Sequence, residues 1–226
     1  MRVINNHIII EVETNVGMQQ CIFDTGNPTS FFFNDQVTGY KIGENVLQCC
    51  PLHLISQQDV CDLVGMQVDG LVGSGSFLNC SLLIDFESEQ FLINPPDVVV
   101  ENAVAMNTLL GLPIFAMEIN GVNLRTAYDS GAMYAFVRQS QVDSLRLEAQ
   151  NQQIHDYNHI FGGFDADLYR GNIKITDRDL ALQTIASSMV YDSALSMVGV
   201  EAFLGNDALK GRKVWLSYQN NQIAVL

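Results

Sequence analysis

The chain contains the same short motif twice, once in each half. Residues 11–27 read EVETNVGMQQCIFDTGN, and residues 115–132 read FAMEINGVNLRTAYDSGA. Each segment has an apolar run, a turn at Gly17 or Gly121, a second apolar run, and then Asp-Thr-Gly or Asp-Ser-Gly. Such a repeat predicts a chain built from two related halves, each of which brings its own aspartate to the end of a strand.

The repeat continues beyond the motif. Two apolar residues and a glycine follow in each half, then a Phe-Leu pair, and then a predicted hairpin that closes the half. In chain order the matched landmarks are Leu71, Val72 and Gly73 with Met197, Val198 and Gly199; Phe77-Leu78 with Phe203-Leu204; and the hairpin at 82–95 with the hairpin at 214–226.

Short strands separated by turn signals dominate the predicted secondary structure. Helices are predicted only at 141–153 and 201–210. Prolines bound the segment 94–113, which is therefore predicted to connect the halves. We predict a mostly β protein with an N-terminal lobe over 1–96 and a C-terminal lobe over 97–226, the second including a linker at 97–112.

The Asp-Thr/Ser-Gly motif has a chemical logic when it occurs in a pair. Glycine lets another chain approach closely, and the hydroxyl can hold the loop by bonding to backbone groups. If the two loops meet, two carboxylates share one site and cannot both ionise readily, so one pKa rises. The ionised carboxylate can then deprotonate a water while the protonated one donates to a carbonyl oxygen.

With these motifs the chain resembles the aspartic peptidases of the pepsin and retropepsin group, in particular compact two-lobed pepsin homologues of bacterial type. The resemblance implies two retropepsin-sized β-barrel lobes related by a pseudo-two-fold axis. It implies Asp24 and Asp129 as the catalytic pair. It implies that Thr25, Gly26, Ser130 and Gly131 lock the loops together, with the apolar-apolar-Gly segments packed beneath. The expected activity is hydrolysis of peptide or unfolded protein substrates by a monomer.

Two departures from the family pattern affect the expected cleft. Asn27 follows Gly26 where the family has a small residue, whereas Ala132 conforms. The spacer after Asp129 is the longer one, so the flap over the cleft is predicted from the second half and not from residues 40–60. The flap and substrate-binding candidates are Tyr157, Phe161, Gly162, Gly163 and Phe164, together with Phe31, Tyr134 and Phe136.

Composition excludes several classes of function. A hydrophobic fraction of 48% with 16% charged residues argues against disorder. A net charge of −14 disfavours nucleic acids and anionic membranes as partners. No apolar run reaches membrane-spanning length, and the N-terminus lacks a signal-peptide pattern. We therefore expect a cytoplasmic protein unless a leader has been removed.

The cysteines and histidines form no recognisable metal module. An odd number of cysteines, all in the first half, favours free thiols, although one disulfide remains open. The spacing of Cys49, Cys50 and Cys61 with His53 matches no zinc module. His155 and His159 stand four apart and could ligate on one helix turn, but the nearby aromatic residues and Gly162-Gly163 favour a hairpin edge. We therefore expect no metal and no cofactor. The five cysteines are Cys21, Cys49, Cys50, Cys61 and Cys80.

Two alternatives to a protease stay open at this point. One is a peptide-binding protein of the same fold that turns over slowly or not at all, for which Asn27 and the short first spacer are the motive. The other is an unrelated β-rich binding domain in which both motifs are ordinary turns.

Overall fold

A computed structural model describes residues 1–50, 55–96, 98–158 and 161–226. His53, Asp97 and His159, which entered the metal and linker predictions, lie outside these ranges. The described residues form a mostly β fold with two short α-helices and three 3-10 helices, which confirms the predicted class. Among them, no helix combines the length and the apolar character needed to cross a bilayer.

The first half forms strands interrupted by one helix, α1. Its N-cap is Ser56, whose hydroxyl accepts the Asp59 N–H, and its C-cap is Gly65 in the left-handed conformation. The elements are β1 (Arg2–Ile4), β2 (His7–Thr14), β3 (Gly17–Asp24), β4 (Phe31–Phe32), β5 (Gly39–Ile42), β6 (Asn45–Gln48), α1 (Gln57–Val64), β7 (Gly70–Gly73), a 3-10 helix (Ser74–Phe77), β8 (Ser81–Asp85) and β9 (Gln90–Ile93).

The second half also contains one α-helix, α2, but it has more strands, a further 3-10 helix and much longer central strands. Helix α2 also has a serine N-cap, Ser188, and a left-handed glycine C-cap, Gly199. The elements are β10 (Val104–Ala105), β11 (Asn107–Leu109), β12 (Leu112–Ile119), β13 (Val122–Tyr128), β14 (Ala135–Val137), a 3-10 helix (Gln139–Gln141), β15 (Glu148–Asn158), β16 (Gly162–Ile175), β17 (Arg178–Ser187), α2 (Met189–Val198), β18 (Ala202–Leu204), a 3-10 helix (Asn206–Leu209), β19 (Lys213–Ser217) and β20 (Gln222–Val225).

The strands form three sheets, one of which is shared by the two halves. The first-half sheet has the order β4-β7-β3-β2-β5-β6, with β1 on β2, and the second-half sheet the order β11-β12-β13-β18-β14-β17-β16-β15. In the second, β12 also pairs with β16, so the sheet curls onto itself. The shared sheet, β10-β20-β19-β8-β9, contains both predicted hairpins, with β8 antiparallel to β19.

Each helix covers the outer face of its own half's sheet with a small apolar cluster. Val60 and Val64 of α1 pack with Ile9 and Ile22. Tyr191 and Leu195 of α2 pack in a larger cluster that includes Phe136. These contacts fix each helix beside the strand that ends at the Asp-x-Gly loop.

Both helices predicted from the sequence are wrong. Residues 148–158 form a strand whose Ala149 pairs with Tyr169, and Asn151 has φ of 53°, which interrupts any helix. Residues 201–210 form β18 and a 3-10 turn instead. Strand pairing along a whole edge overrides the modest helix propensity of these stretches.

Candidate active site

Asp24 and Asp129 lie at equivalent places in the two halves. Strand β3 runs parallel to β7, with Asp24 paired to Gly73. Strand β13 runs parallel to β18, and the Asp129 N–H donates to the Leu204 carbonyl at 3.0 Å. Each aspartate therefore ends an inner strand where a neighbouring parallel strand holds the backbone in place.

The two loops are joined by reciprocal hydrogen bonds. The Thr25 N–H donates to Ser130 Oγ at 2.9 Å, and the Ser130 N–H donates to Thr25 Oγ1 at 2.9 Å. Each hydroxyl then donates to a carbonyl of the other half, Thr25 Oγ1 to Tyr128 at 2.6 Å and Ser130 Oγ to Phe23 at 2.9 Å. Both side chains are fully buried, so water cannot replace these bonds.

Glycine after each hydroxyl residue brings the carboxyl groups together. A Cβ at Gly26 would lie 2.5 Å from Asp129 Oδ1, and a Cβ at Gly131 would lie 2.6 Å from Asp24 Oδ1. Any side chain at either position would therefore push the opposite carboxyl away. The glycine N–H groups bond their own aspartates instead, Gly26 to Asp24 at 2.8 Å and Gly131 to Asp129 at 3.0 Å.

The environment of Asp24 favours the protonated acid. Burial raises the pKa of the Asp24 carboxyl, against hydrogen bonds from the Gly26 N–H and from the Asp129 carboxyl that lower it. The hydrogen bond between the two carboxyl groups requires a proton between them. The pair can therefore hold one proton and one negative charge at the same time.

The match of Met197, Val198 and Gly199 with the segment at 71–73 is wrong. Gly73 pairs with Asp24, but the strand beside Asp129 is Ala202–Leu204, so Gly205 is the true counterpart of Gly73. Gly199 is the left-handed C-cap of α2 and corresponds to Gly65, the C-cap of α1. Two apolar residues and a glycine occur at both places, so the sequence pattern alone did not separate helix end from buried strand.

Gly73 and Gly205 have the same surroundings. A Cβ on Gly73 would clash with the Asn27 and Thr29 carbonyls, and a Cβ on Gly205 with those of Ala132 and Tyr134. These carbonyls are three and five residues after the respective aspartates in both halves. The match of Phe77-Leu78 with Phe203-Leu204 is wrong for the same reason. Phe77 ends the 3-10 helix that follows Gly73, and Leu209 ends the 3-10 helix that follows Gly205.

Tyr157 is the flap candidate that reaches the aspartates. A cavity of about 290 Å³, here called the α2 cavity, is lined by Asp24, Asp129, Tyr157, Tyr191 and Met197 among others. Tyr157 belongs to the β15–β16 hairpin of the second half. The described residues of the segment at 40–60 do not line this cavity. Its strands lie elsewhere, since β5 pairs with β2 and β6 pairs with β5.

The other candidates on and near that hairpin have mixed positions. Phe161 is exposed at its turn, and Gly162 has φ of 80° there. Gly163 and Tyr134 line a second cavity, described below, together with Tyr157.

Three aromatic candidates for substrate contact are core residues instead. Phe31 is 3% exposed, Phe136 0% and Phe164 7%, and none of them lines a cavity beside the aspartates. Phe136 stacks on Tyr191 with ring centroids 3.7 Å apart, and Phe164 packs on both rings. Phe136 and Phe164 support the hairpin and α2, whereas Phe31 packs on Phe33 in the first half. The alternation of apolar residues in a strand does not indicate which face meets the cleft.

Several residues near the pair were not predicted. Asn206 donates to the Ser130 carbonyl at 2.7 Å and to the Asn6 carbonyl at 2.6 Å, which ties the second loop to the first half. Asp156, beside Tyr157, is buried and its Oδ2 has no partner. Burial raises the pKa of Asp156 to about 7, and the charge of Asp129 adds to that rise. Leu204-Gly205-Asn206 parallels Val72-Gly73-Ser74, a signal that was present in the sequence.

None of the five cysteines, all of which lie in the described ranges, forms a disulfide. Across 1–50, 55–96, 98–158 and 161–226, no three His, Cys, Asp or Glu side chains cluster as metal ligands do.

Comparisons with known proteins add little to this geometry. No family model and no curated protein matches the sequence. Among solved structures, the solution structure of the protease of Simian Foamy Virus (mac) is similar at 22% identity, over 42% of this chain and 90% of that chain, with a TM-score of 0.31. A TM-score of that size establishes neither a shared architecture nor a shared activity.

Proposed function

We propose that the protein is an aspartic endopeptidase whose catalytic residues are Asp24 and Asp129. The observation that carries the proposal is the reciprocal bonding of Thr25 and Ser130, which holds two Asp-x-Gly loops face to face. An accidental pair of turns would have no reason to exchange the same four bonds. We further propose two lobes, 1–96 and 97–226, related by a pseudo-two-fold axis that passes between these loops.

The chemistry follows from one shared proton. The ionised carboxylate takes a proton from a water, the water oxygen attacks the scissile carbonyl carbon, and the protonated carboxyl gives its proton to the carbonyl oxygen. The tetrahedral intermediate, a gem-diol, then collapses. The carboxyl that took the water's proton gives a proton to the leaving nitrogen, the other carboxylate takes a proton from one hydroxyl of the diol, and the C–N bond breaks as the C=O bond re-forms. Both carboxyls end in the state in which they began, so the pair needs no covalent intermediate.

The β15–β16 hairpin serves as the flap in this proposal. Tyr157 lines the same cavity as the carboxyl pair, and closing the hairpin on a bound peptide would exclude bulk water from the reaction. The peptide would lie extended beneath it, held partly by backbone hydrogen bonds.

Asn27 does not oppose catalysis. Its Oδ1 accepts the Thr29 N–H and the Thr29 hydroxyl, each at 3.1 Å, so the side chain folds back onto its own loop and away from the carboxyl pair. Asn27, one of the two features that motivated the alternative of a peptide-binding protein without turnover, therefore supports an intact loop.

Digestion of a denatured protein over a range of pH tests the proposal. The wild type should cleave at pH values where the pair holds one proton, and a statine-type inhibitor should stop it. Asp24→Asn and Asp129→Asn should each lower cleavage by at least about 10³-fold while leaving the folded structure intact, since general acid–base steps contribute roughly 10²–10⁴-fold each. Peptide binding without cleavage by pure wild-type protein would instead favour the inactive binding protein.

A further inference from the structure

Two cavities built from equivalent elements share Tyr157 in their walls, and the carboxyl pair lines one of them. The α2 cavity is bounded by the Leu110–Gly111 turn of the β11–β12 hairpin, the end of α2, and Pro28. A second cavity of about 1020 Å³, here called the α1 cavity, is bounded by the Asn5–Asn6 turn of the β1–β2 hairpin, the end of α1, and Met133. Pro28 and Met133 each lie four residues after an aspartate.

The matching extends to backbone conformation. Asn5 and Asn6 have φ of 45° and 62°, and Leu110 and Gly111 have φ of 52° and 89°, so both hairpins close with a turn of the same hand. Tyr157 lines both cavities. A peptide whose scissile carbonyl lies on the carboxyl pair would therefore send its flanking side chains into these two cavities.

The α2 cavity presents an apolar wall. Leu110 and Met197 are 75% and 64% exposed, which is unusual for two large apolar side chains beside one cavity. The remaining wall is also mostly apolar, with Leu109, Leu112, Ala194 and Val198.

The α1 cavity presents polar groups at the equivalent places. Asn5 and Asn6 replace the Leu110–Gly111 turn, and Asp59 and Asp62 lie on the helix. Lys210 also lines it and pairs with Asp207 at 2.6 Å, so its charge is already balanced. Val3, Leu63 and Met133 also line this cavity, so its wall is mixed, and an apolar side chain would gain less there than in the α2 cavity.

We propose that the cleft reads the two sides of the scissile bond differently, taking one large apolar side chain in the α2 cavity and a polar side chain in the α1 cavity. This inference rests on the proposed function, because the carboxyl pair fixes where the bond lies. At about 290 Å³ the α2 cavity is at the lower end of the range for ligand pockets, roughly 300–1,000 Å³, so it suits one side chain with its flanking backbone. Substrates would therefore be directional, unlike those of a cleft with two equal sides.

Peptides that differ only at the two residues flanking the scissile bond test this inference. The set is Phe–Gln, Gln–Phe, Phe–Phe and Gln–Gln, each measured for kcat/KM with wild-type protein. One mixed order should be cleaved at least about tenfold better than the other, since burying or losing a large apolar contact changes specificity by roughly 10–200-fold. Phe–Phe should be no better than the favoured mixed peptide. Equal cleavage of both mixed orders would overturn the inference and leave the protease function standing.

A pair of variants assigns the preference to the α2 cavity. Leu110→Asn introduces a residue type that tolerates the φ of 52° at this position, and Met197→Gln keeps the side-chain length. Either should lower kcat/KM for the favoured peptide about tenfold and so reduce its advantage over Gln–Gln. Met189→Gln is the matched control, because Met189 is 80% exposed on the same helix and lines neither cavity. An equal effect of Met189→Gln and Met197→Gln would also contradict the assignment.

Binding provides a readout that does not need turnover. The same four peptides are titrated against Asp24→Asn and followed by fluorescence anisotropy. A preference for one mixed order supports two unlike subsites even if the wild type cleaves nothing, in which case only the proposed reaction fails. Binding without any order preference would overturn the inference whether or not the wild type is active.

Discussion

The segments that follow Asp24 and Asp129 begin alike and then diverge. Both loops exchange the same hydrogen bonds, both glycines 73 and 205 meet carbonyls of the preceding loop, and both helices end on a left-handed glycine. Between loop and helix, the first half has a hairpin of two four-residue strands, β5 and β6, where the second half has β15, β16 and β17 of 10 to 14 residues. Positions in steric contact with the aspartate loops have little freedom, whereas a hairpin edge can lengthen without disturbing them.

The largest expected effect tests which glycine belongs to the aspartate loop. Gly205→Ala forces a Cβ onto the Tyr134 and Ala132 carbonyls, and backbone atoms cannot move aside cheaply. We expect a loss of at least about 3 kcal/mol in the free energy of unfolding. Gly199→Ala meets no atom within 4 Å and should cost only about 1–2 kcal/mol, because its φ of 68° is left-handed. Urea denaturation of both variants measures the difference.

If Gly199→Ala lowered the free energy of unfolding more than Gly205→Ala does, the match of Gly199 with Gly73 would be restored. Gly73→Ala serves as the internal reference, since it should resemble Gly205→Ala in severity. A mild effect at both 73 and 205 would mean that the loops can shift, contrary to the close contacts described above.

The wrong match of Gly199 with Gly73 separates the features that could be predicted from the sequence from those that could not. The aspartates, the hydroxyl residues and the closing hairpins could be located because each has a fixed residue type at a fixed place relative to a turn. Gly199 and Gly205 could not be separated, because a helix C-cap and a close approach of two chains both select glycine. The helix predictions were wrong because the true helices carry a weak sequence signal. Alpha-helix α1 is only eight residues long, too short for a clear period.

Burial of the aromatic residues was equally beyond the sequence. Phe31, Phe136 and Phe164 are aromatic residues on strands, as Tyr157 is, yet of these four only Tyr157 lines the cavity that contains the carboxyl pair. Which face of a strand is covered depends on where α2 packs, and that contact joins residues far apart in the chain.

A second prediction concerns Asp156, a buried acid on the longer hairpin, β15–β16. Burial raises the pKa of Asp156 from 3.8 to about 7 in the folded protein. Between these values the native state holds a proton that the unfolded chain has lost, so stability falls as pH rises through this window. At about 1.4 kcal/mol per unit, the penalty above pH 7 reaches at most about 4 kcal/mol.

Asp156→Asn removes the titrating group, so its free energy of unfolding should rise relative to that of wild type from pH 4 to pH 7. Urea denaturation at several pH values gives the difference in the free energy of unfolding, in which the other titrating groups cancel. Asp143→Asn, at an exposed position, is the control for removing a surface carboxylate and should stay within about 0.5 kcal/mol of wild type. A constant difference for Asp156→Asn would show that its carboxylate is already ionised in the folded protein.

A third prediction tests whether the loop bonds contribute equally in the two halves. Thr25→Val and Ser130→Ala each remove one donor and one acceptor of buried bonds. Each should cost about 1–3 kcal/mol, because the partners left behind are buried without water. Thr25→Ser and Ser130→Thr keep the hydroxyl and should retain most of the stability. A large cost for one variant and none for the other would break the equivalence of the two loops.

The smallest expected effect decides which hairpin serves the cleft. Tyr157→Ala opens the wall that Tyr157 gives to both cavities, and should lower kcat/KM about tenfold, equivalent to about 1.4 kcal/mol. Tyr169→Ala is the matched control, because Tyr169 lies on the same hairpin and lines a cavity remote from the aspartates. Val46→Ala probes the first-half hairpin at a position 72% exposed, and neither control should change cleavage. Since all three remove exposed or half-buried side chains, their melting temperatures should stay close to that of wild type. A loss of activity in Val46→Ala with normal activity in Tyr157→Ala would assign the flap to the first half, and the long hairpin would then be a lateral extension of the second-half sheet.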